Sequence, residues 1–321
     1  MEKRQDNDVV APHVGDVDLD SWRKKGPFLF SLAKGVCWLL PRGKGRFARW
    51  FGRTFGQGLK ASVRSGSGAL VAIDPSNLDI YMDFRQHGGF WEHHVLKACV
   101  DVLRPGDVFF DVGANAGFFS VEVANLPGKK VSVFAFEPQP SLARAAAISA
   151  LLNDFENMSV FQMMVGKKEG TGELYVPSQA VFASAVAVSP DVMALPCVVT
   201  NVDALVCTGR LPAPNVVKID VEGAELDVVV GARETIRRHA PYLIFESDQN
   251  SERFNYTRSE LCSYLSALAD YRFFLIGKKE LEPLRSVEGS PPGNVLAAPS
   301  GRPNPPRTVT EETVRADALS I

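Results

Sequence analysis

The chain lacks the features of disulfide-rich, zinc-binding and membrane-spanning proteins. Its five cysteines are scattered and none forms a Cys-x-x-Cys pair, which argues against a disulfide framework and against a zinc site. No apolar run is as long as a membrane span, and residues 1–20 are polar and acidic, unlike a secretory leader. With 321 residues and 45% hydrophobic content, we expect a cytoplasmic globular protein with a sizeable core.

Acidic residues are missing from one long segment. Residues 21–73 contain eleven Lys and Arg but no Asp or Glu, whereas the rest of the chain holds 24 basic and 37 acidic residues. Within the segment, Phe47, Trp50 and Phe51 recur at helical spacing and arginines fall between them. This pattern predicts a basic amphipathic helical arm over residues 21–66, preceded by a disordered acidic N-terminus over residues 1–20.

The basic arm has two open interpretations. It could make a peripheral contact with anionic lipid headgroups through residues 21–64, at the inner face of a membrane. It could equally pack on its own acidic domain or on a second subunit. Nucleic acid is a less favoured partner, because no recognised binding motif accompanies the charge.

A glycine turn follows the apolar run 108–110 and precedes the helix-like run 118–124. It reads Asp111-Val-Gly-Ala-Asn-Ala-Gly117 and lacks the Gly-x-Gly-x-x-Gly pattern, because Asn115 holds the middle position. A carboxylate at Asp111 would repel the phosphates of a dinucleotide. S-adenosylmethionine has no phosphate and carries an ammonium and a sulfonium group, so the turn favours S-adenosylmethionine as the cofactor.

An acidic residue stands where a ribose would be bound. Glu137 comes twenty residues after Gly117, at the end of the second strand-like run 131–136, and is followed by Pro138. In a doubly wound α/β sheet, an acid at this point accepts hydrogen bonds from ribose hydroxyls. We therefore assign cofactor binding to the turn and the acid, which comprise Asp111, Gly113, Ala114, Asn115, Gly117, Glu137 and Pro138.

Alternating strand and helix patterns predict a methyltransferase-sized α/β domain over residues 67–298. A helix is expected from Ser141 as N-cap to Leu152, a third strand over 158–165, a fourth over 215–220 and a fifth over 242–246. An insert over about 166–213 shows short strands and little helix signal. Residues 299–321 are expected to form a disordered Pro-rich tail.

Three sequence blocks resemble the FkbM-type methyltransferases. They are Asp-Val-Gly-Ala-Asn-Ala-Gly at 111–117, Ala-Phe-Glu-Pro at 135–138 and Lys-Ile-Asp-Val-Glu-Gly-Ala-Glu at 218–225. The resemblance spans roughly residues 75–298. It implies a Rossmann-like, seven-stranded doubly wound sheet of class I methyltransferase type, and methyl transfer from S-adenosylmethionine, typically to oxygen on sugars, polyketides or related small molecules.

Methyl transfer to a hydroxyl needs a base at the acceptor side of the site. Ligands of an open α/β sheet sit beyond the carboxyl ends of the strands, which makes Asp220, Glu222 and Glu246 the candidate catalytic residues. Asp220 would be the base or would orient the acceptor, and Lys218 could pair with it or touch an anionic acceptor. His93 and His94 are alternative bases if they reach the site, although surface positions are favoured for them. The three carboxylates could also hold Mg²⁺, although a metal is not favoured.

The patterns favour S-adenosylmethionine, and the resemblance implies an O-methyltransferase that acts on a hydroxyl of a sugar, glycolipid or secondary metabolite. Two alternatives stay open. An NAD(P)-dependent oxidoreductase would be expected to have glycine at position 115 and a hydride-site pattern, and the sequence has neither. A non-catalytic nucleoside-binding module could keep the same fold without turnover.

Overall fold

The computed structural model describes residues 11–15, 17–23, 35–36, 47, 50–51, 54, 60–73, 92–177, 185, 192–247, 254–284 and 291–303. The N-terminal part holds α1 (Leu19–Arg23), β1 (Ala61–Arg64) and β2 (Leu70–Ile73). The first half of the main domain holds α2 (His93–Val102), β3 (Val108–Val112), α3 (Phe118–Ala124), β4 (Ser132–Phe136), α4 (Pro140–Leu152), β5 (Met158–Phe161) and β6 (Met164–Val165).

The second half begins with a β-hairpin and ends in antiparallel strands. Its elements are β7 (Gly170–Pro177), β8 (Val192–Thr200), α5 (Val202–Cys207), β9 (Val216–Ile219), α6 (Glu225–Gly231), α7 (Arg233–His239), β10 (Tyr242–Ser247), α8 (Arg258–Leu268), β11 (Tyr271–Ile276), β12 (Leu281–Pro283) and β13 (Gly293–Pro299).

The main sheet has the order β12-β11-β13-β10-β9-β3-β4-β5. Strands β3, β4, β5, β9 and β10 are parallel, whereas β13, β11 and β12 pair antiparallel at one edge. The chain runs outward from β3 to β5 and then returns to β9 on the other side of β3. The strand order therefore reverses between β3 and β9, which is where an open α/β sheet binds its ligand.

Alternating side chains along the central strands fill two cores, one on each face of the sheet. Phe109 and Val133 belong to the core under α2, α3 and α4, whereas Phe110 and Phe136 belong to the core under α5 to α8. A parallel strand that is covered on both faces carries few polar side chains, because neither face is exposed to solvent. This burial explains why runs 108–110 and 131–136 are nearly continuous in apolar residues.

The doubly wound α/β prediction is confirmed, but the predicted number of seven strands is wrong. The main sheet has eight strands, because the three residues of β12 pair with the end of β11 after a tight turn in which Gly277 N–H donates to the Glu280 carbonyl (3.0 Å). A three-residue edge strand is too short to produce a readable alternation. A separate three-stranded sheet has the order β6-β8-β7, and two of its strands, β7 and β8, lie in the predicted insert.

Several local predictions differ from the structure. The third strand is split into β5 and β6, and the two halves join different sheets. Ser141 is not the N-cap of α4, since Gln139 holds that position and Pro140 starts the helix. The insert also contains α5, capped by the Asn201 side chain, which accepts from Ala204 N–H (2.7 Å).

At both ends of the domain, the described residues differ from the prediction. Helix α1 crosses the boundary expected at residue 20, and its Trp22 is buried among Ala72, Ile148 and Leu152. Strand β1 lies inside the segment predicted as a helical arm. Beyond β13, the Pro303 carbonyl accepts from the Tyr242 hydroxyl (2.7 Å), so the chain stays on the domain through residue 303. The domain boundaries as a whole remain a prediction.

Most of the predicted arm lies outside the described residues. Phe47, Trp50, Phe51 and Thr54 are helical where they are described, and Phe47 and Phe51 pack against the core under α2 to α4. Trp50 is 57% exposed. None of the described helices is long and apolar enough to cross a bilayer.

Candidate functional site

Two turns meet where the strand order reverses. Gly113, directly after β3, has φ +81°, and a Cβ at that position would lie 1.8 Å from the backbone oxygen of Asp220, directly after β9. Only glycine permits this approach, because any side chain would collide with backbone that cannot move aside. The N–H groups of Gly113 and Ala114 donate to the Phe136 carbonyl (2.9 and 3.0 Å), which fixes the turn against β4.

Glu137 ties the first turn to the end of β4. Its Oε2 accepts from the backbone N–H of Asn115 (2.9 Å), and its Oε1 accepts from the backbone N–H of Gln139 (2.8 Å). Asn115 adopts a left-handed conformation with φ 53°, which asparagine tolerates better than most residues. Burial raises the pKa of Glu137 to about 7, against which the two backbone N–H donors act.

Asp111 and Gly117 lie beneath the turn and are absent from the described lining of the cavity. Asp111 is fully buried, accepts from the Ser120 hydroxyl (2.5 Å) and has Oδ1 3.9 Å from the Lys218 ammonium. Gly117 precedes α3 with φ +82°, and a Cβ there would lie 2.8 Å from the Cβ of Ala146 in α4. The structure therefore gives Asp111 an electrostatic partner inside the protein and gives Gly117 a packing role.

Lys218 is the cationic centre of the opposite side. Its ammonium lies 2.8 Å from Oδ2 of Asp220 and 5.2 Å from the centre of the Phe119 ring. The predicted Lys218–Asp220 pair is thus present. Burial acts to lower the pKa of Lys218, but Asp220, Asp111 and Glu92 outweigh it and hold this pKa above its ordinary value. Lys218 therefore stays charged beside Asp220.

Glu225 stabilises the turn after β9 through hydrogen bonds. The Glu225 carboxylate accepts from the backbone N–H groups of Val221 (3.3 Å) and Gly223 (3.0 Å) and from the Tyr256 hydroxyl (2.5 Å). Glu222, between those amides, has φ 55°. Glu222 and Gly223 therefore belong to the turn, and α6 begins at Glu225.

A cavity opens between the two turns. Its volume is about 150 Å³, which is enough for an organic ligand and exceeds the space that single water molecules need. Its apolar wall combines side chains of the sheet, the helices and the insert. The described apolar residues are Val112, Ala114, Phe118, Phe119, Phe136, Pro138, Leu142, Met163, Met164, Val165, Leu174, Ala185, Val221 and Ala224. The predictions singled out Ala114 and Pro138 but missed the rest of this wall, which only the folded chain assembles.

The charged lining of the cavity is unbalanced. Among the described residues, the lining includes four acidic residues, Glu137, Asp220, Glu222 and Asp227, and one basic residue, Lys218. A cavity lined by an excess of one charge attracts ligands of the opposite charge. This lining suits a ligand that carries positive charge better than one that carries a pyrophosphate.

The cavity brings together seven of the ten predicted site residues. Gly113, Ala114, Asn115, Glu137, Pro138, Asp220 and Glu222 line it, whereas Asp111, Gly117 and Glu246 are absent from its described lining. Glu246 lies near the end of β10, opposite Asn294 of β13. The catalytic and binding roles of all ten remain predictions.

Sequence reasoning assigned no catalytic role to one carboxylate near this edge. Glu92, directly before α2, accepts from the Asn294 side-chain amide (3.3 Å) and adopts a left-handed conformation with φ 42° and ψ 55°. The two residues are 202 positions apart, so no local pattern could link them. His94, one of the two histidines considered as bases, is half-buried in α2, and burial lowers its pKa, with Lys278 and His93 acting in the same direction.

No group of three or more His, Cys, Asp or Glu side chains arranged to hold a metal ion occurs in the part of the chain that the structure describes. The predicted carboxylates Asp220, Glu222 and Glu246 are therefore not gathered into a metal site there. The suggestion of Mg²⁺ was not favoured by the sequence, and it remains untested.

Comparisons with known proteins point to one family. The family model for the methyltransferase FkbM domain matches residues 111–273. Hexuronic acid methyltransferase AglP of Haloferax volcanii is 25% identical over 193 residues, which cover 59% of this chain and 77% of that protein. The 31-O-demethyl-FK506 methyltransferase FkbM of Streptomyces tacrolimicus is 60% identical over 38 residues, which cover 12% of this chain and 14% of that protein.

A solved structure of methyltransferase FkbM from Methylobacillus flagellatus is 18% identical, with a TM-score of 0.42 and coverage of 70% of this chain. The chain spans about half of that protein, since the similarity covers 54% of its length. The family model extends over half of the present chain and includes the first turn, Glu137 and the turn after β9. The resemblance seen in the sequence is thereby confirmed, and the chain belongs to the FkbM family of methyltransferases.

Proposed function

We propose that the protein transfers a methyl group from S-adenosylmethionine to a hydroxyl oxygen of a sugar, a glycolipid or a secondary metabolite. The observation that carries this proposal is the excess of carboxylates over cations in the described lining of the cavity. S-adenosylmethionine would bring a sulfonium and an ammonium to this lining, whereas NAD would bring two phosphates.

Glu137 supports the same cofactor at the nucleoside end. Its carboxylate is anchored by Asn115 and Gln139, lines the cavity and stands at the end of β4, the strand next to β3. A carboxylate in this place would accept hydrogen bonds from both ribose hydroxyls. Gly113, Ala114 and Asn115 would form the backbone surface against which the methionine part lies, and Pro138 would border the nucleoside.

The acceptor would enter on the side of β9. Asp220, which lies 2.8 Å from the Lys218 ammonium, would orient a hydroxyl group through a hydrogen bond. Glu222 lies on the same turn and lines the same cavity. The transfer itself is an in-line displacement, so that the main tasks of the protein are to align the oxygen with the methyl carbon and to remove the hydroxyl proton.

Oxygen as the methylated atom and a sugar-like or metabolite acceptor are supported by the names of the two relatives, one a hexuronic acid methyltransferase and the other a 31-O-demethyl-FK506 methyltransferase. The alternatives, an NAD(P)-dependent oxidoreductase and a non-catalytic nucleoside-binding module, predict different ligands or no turnover.

Calorimetric titration with S-adenosylmethionine and with NAD tests the cofactor. We expect binding of S-adenosylmethionine alone, weakened at least tenfold in Glu137→Ala, because two ribose hydrogen bonds to a charged group are lost. Glu156→Ala is the control, since Glu156 is an exposed carboxylate just before β5. Binding of NAD, or of neither ligand, would overturn the proposal.

A contact of residues 21–64 with anionic lipid is a separate part of the proposal. It rests on the charge of this segment and on Trp50, whose ring is 57% exposed. Trp side chains partition to membrane interfaces. Flotation with vesicles containing anionic lipid should be reduced in Trp50→Ala but not in Met193→Ala, which removes an equally exposed apolar side chain from β8 (58% exposed). Equal flotation of both variants would dismiss the lipid contact.

A further inference from the structure

A polar atom at the nucleoside end of the cavity has no partner in the protein. Gln139 lines the cavity and lies two positions after Glu137. Its side-chain oxygen, Oε1, is shielded from solvent and accepts no hydrogen bond from the described residues. Of the lining residues that the structure describes, Gln139 alone has a shielded side-chain nitrogen or oxygen in this condition. Such an atom is costly unless a ligand or a water molecule supplies the missing bond.

Helix capping does not account for this oxygen. Gln139 holds the N-cap position of α4, but its side chain makes no capping hydrogen bond. At the same position before α5 and α8, the side chains of Asn201 and Thr257 accept from a backbone N–H of their own helix. The Gln139 oxygen is therefore left over from the local structure.

Gln139 is held in place by both its backbone and its side chain. Its backbone N–H donates to Oε1 of Glu137 (2.8 Å), and its carbonyl accepts from the backbone N–H of Ala143 (2.9 Å). Its side-chain Nε2 donates to the Ser141 hydroxyl (3.1 Å). Because Nε2 is engaged, the oxygen is the end of the amide that remains for a ligand. A group that is fixed beforehand loses little freedom when the ligand binds.

Few groups of S-adenosylmethionine could donate to this oxygen. They are the α-ammonium group, the two ribose hydroxyls and the exocyclic amine of adenine. In the proposed function, the methionine part lies against Gly113, Ala114 and Asn115, and the ribose hydroxyls donate to Glu137. The exocyclic amine is then the donor that remains, since it carries the only N–H groups of the base.

The lining around Gln139 suits a flat, largely apolar ring. Its neighbours in the lining include Pro138, directly before it, Leu142, in the first turn of α4, and Met163, two residues after β5. Ligand sites usually combine an apolar wall with a few polar groups that fix the orientation of the ligand. Here the apolar side chains would contact the faces of the base, and the amide oxygen would contact its edge.

We propose that the side-chain oxygen of Gln139 accepts a hydrogen bond from the exocyclic amine of S-adenosylmethionine and makes the site selective for adenine over hypoxanthine. This inference rests on the proposed function. Glu137 binds the sugar and Gln139 the base, so two residues of one segment hold the two halves of the nucleoside. Gln139 is a binding residue that the sequence-based predictions did not include, because a single glutamine carries no motif.

S-inosylhomocysteine provides the test, because its base has a carbonyl where S-adenosylhomocysteine has the exocyclic amine. Binding of both ligands to the full chain is measured by calorimetry. We expect the wild type to bind S-adenosylhomocysteine about tenfold more tightly or better, since the inosyl carbonyl would face Oε1 with no hydrogen between the two oxygens. In Gln139→Leu the preference should fall to about threefold or less.

Two control variants separate recognition of the base from general damage to the site. Glu137→Ala removes the partner of the ribose, and Leu142→Ala removes an apolar side chain from the lining. Each should weaken both ligands alike and leave the preference unchanged. Equal affinities of the wild type for the two ligands, or an unchanged preference in Gln139→Leu, would overturn the inference and would mean that water satisfies Oε1.

Gln139→Glu covers the case in which Gln139→Leu does not fold. It keeps oxygen acceptors at the end of the side chain and removes the amide donor, so the preference for S-adenosylhomocysteine should persist. Loss of the preference in Gln139→Glu would show that the amide N–H contacts the base, and it would contradict the inference. If S-adenosylhomocysteine does not bind the wild type, the proposed function fails. If it binds and the variants contradict the role of Gln139, the inference alone fails.

Discussion

The two sides of the cavity are built in different ways. The cofactor side consists of the turn 111–117 and Glu137, which are held by hydrogen bonds from backbone N–H groups. The acceptor side consists of charged side chains on and around the turn after β9, which are tied to distant residues, Lys218 to Asp111 and Glu225 to Tyr256. The residues of both sides can be read from local sequence, whereas the links of the acceptor side to distant residues cannot.

Removing the central cation should have the largest effect. In Lys218→Met, Asp111 is left fully buried without its cation, and we expect a loss of about 3–5 kcal/mol in the free energy of unfolding. Burial already raises the pKa of Asp111, and the variant raises it further. Because the folded state then binds more protons than the unfolded state, the variant should lose stability as the pH rises.

Urea unfolding at pH 6 and pH 8 measures this effect. Lys97→Met is the matched control, because Lys97 is also buried and lies 2.7 Å from Asp101, on α2. The control should lose comparable stability yet bind S-adenosylmethionine normally, whereas Lys218→Met should also bind it more weakly. A Lys218→Met protein as stable as the wild type would show that the acceptor side does not depend on this cation.

Adding a side chain where the two turns touch should have the next largest effect. In Gly113→Ala the new Cβ meets the backbone oxygen of Asp220, and the residue must also keep φ +81°. We expect a loss of about 2–4 kcal/mol in stability, from overpacking together with backbone strain, and loss of cofactor binding.

Gly209→Ala separates the two causes. Gly209 has φ +74°, but nothing lies within 4 Å of the position that its Cβ would take. This control should cost only about 1 kcal/mol and leave cofactor affinity unchanged. Equal losses in the two variants by urea unfolding would mean that the collision between the turns does not matter.

A smaller effect is expected from the hydrogen bond that supports the turn after β9. Tyr256→Phe removes a donor to the Glu225 carboxylate, and we expect a loss of about 1.5–3 kcal/mol because the acceptor is charged. Amide hydrogen exchange at Val221 and Gly223, which donate to the same carboxylate, should become faster.

The control for this change is Tyr271→Phe, which removes an equally buried hydroxyl that donates to the Pro241 carbonyl (2.8 Å). It should cost about 1 kcal/mol, since the acceptor is neutral, and leave the exchange of those two amides as it was. Unchanged exchange in Tyr256→Phe would show that the turn is held without Glu225.

The pH dependence of cofactor binding should give the smallest effect. Burial raises the pKa of Glu137 to about 7, and ribose hydroxyls would donate to its ionised form. Below pH 7 the affinity for S-adenosylmethionine should therefore fall by up to about tenfold per pH unit. The same raised pKa means that the contribution of Glu137 to stability is full below the unfolded pKa of 4.5 and is lost as the pH rises through about 7.

Calorimetry between pH 5.5 and 8 measures this dependence. Glu137→Gln has no titrating group at that position, so its lower affinity should vary much less with pH. A wild-type affinity that does not change over this range would mean that Glu137 binds the ligand in its protonated form or does not bind it.

The same contrast explains what the sequence could predict. The strand, turn and helix around Gly113, the acid Glu137 and the Lys218–Asp220 pair follow from residues close together in the chain, and the structure places them as expected. Helix α5 escaped notice because it has six residues, too few for a clear helical period. The eighth strand, β12, escaped notice because its three residues are too few for a clear alternation.

Other features were beyond sequence reasoning because distant residues create them. The link from Tyr256 to Glu225 joins α6 to the segment before α8, and the link from Asn294 to Glu92 joins the two ends of the domain. The burial of Asp111 depends on Ser120 and Lys218 together. These contacts depend on the order of strands in the sheet, which no single segment encodes.

A crystal structure with S-adenosylhomocysteine bound would test the division of the cavity most directly. The account predicts that the ribose hydroxyls lie within hydrogen-bond distance of Glu137 and that the sulfur faces Lys218 and Asp220 across the junction of the two turns. A ligand bound in the reverse direction, or outside the space between Gly113 and Asp220, would contradict it.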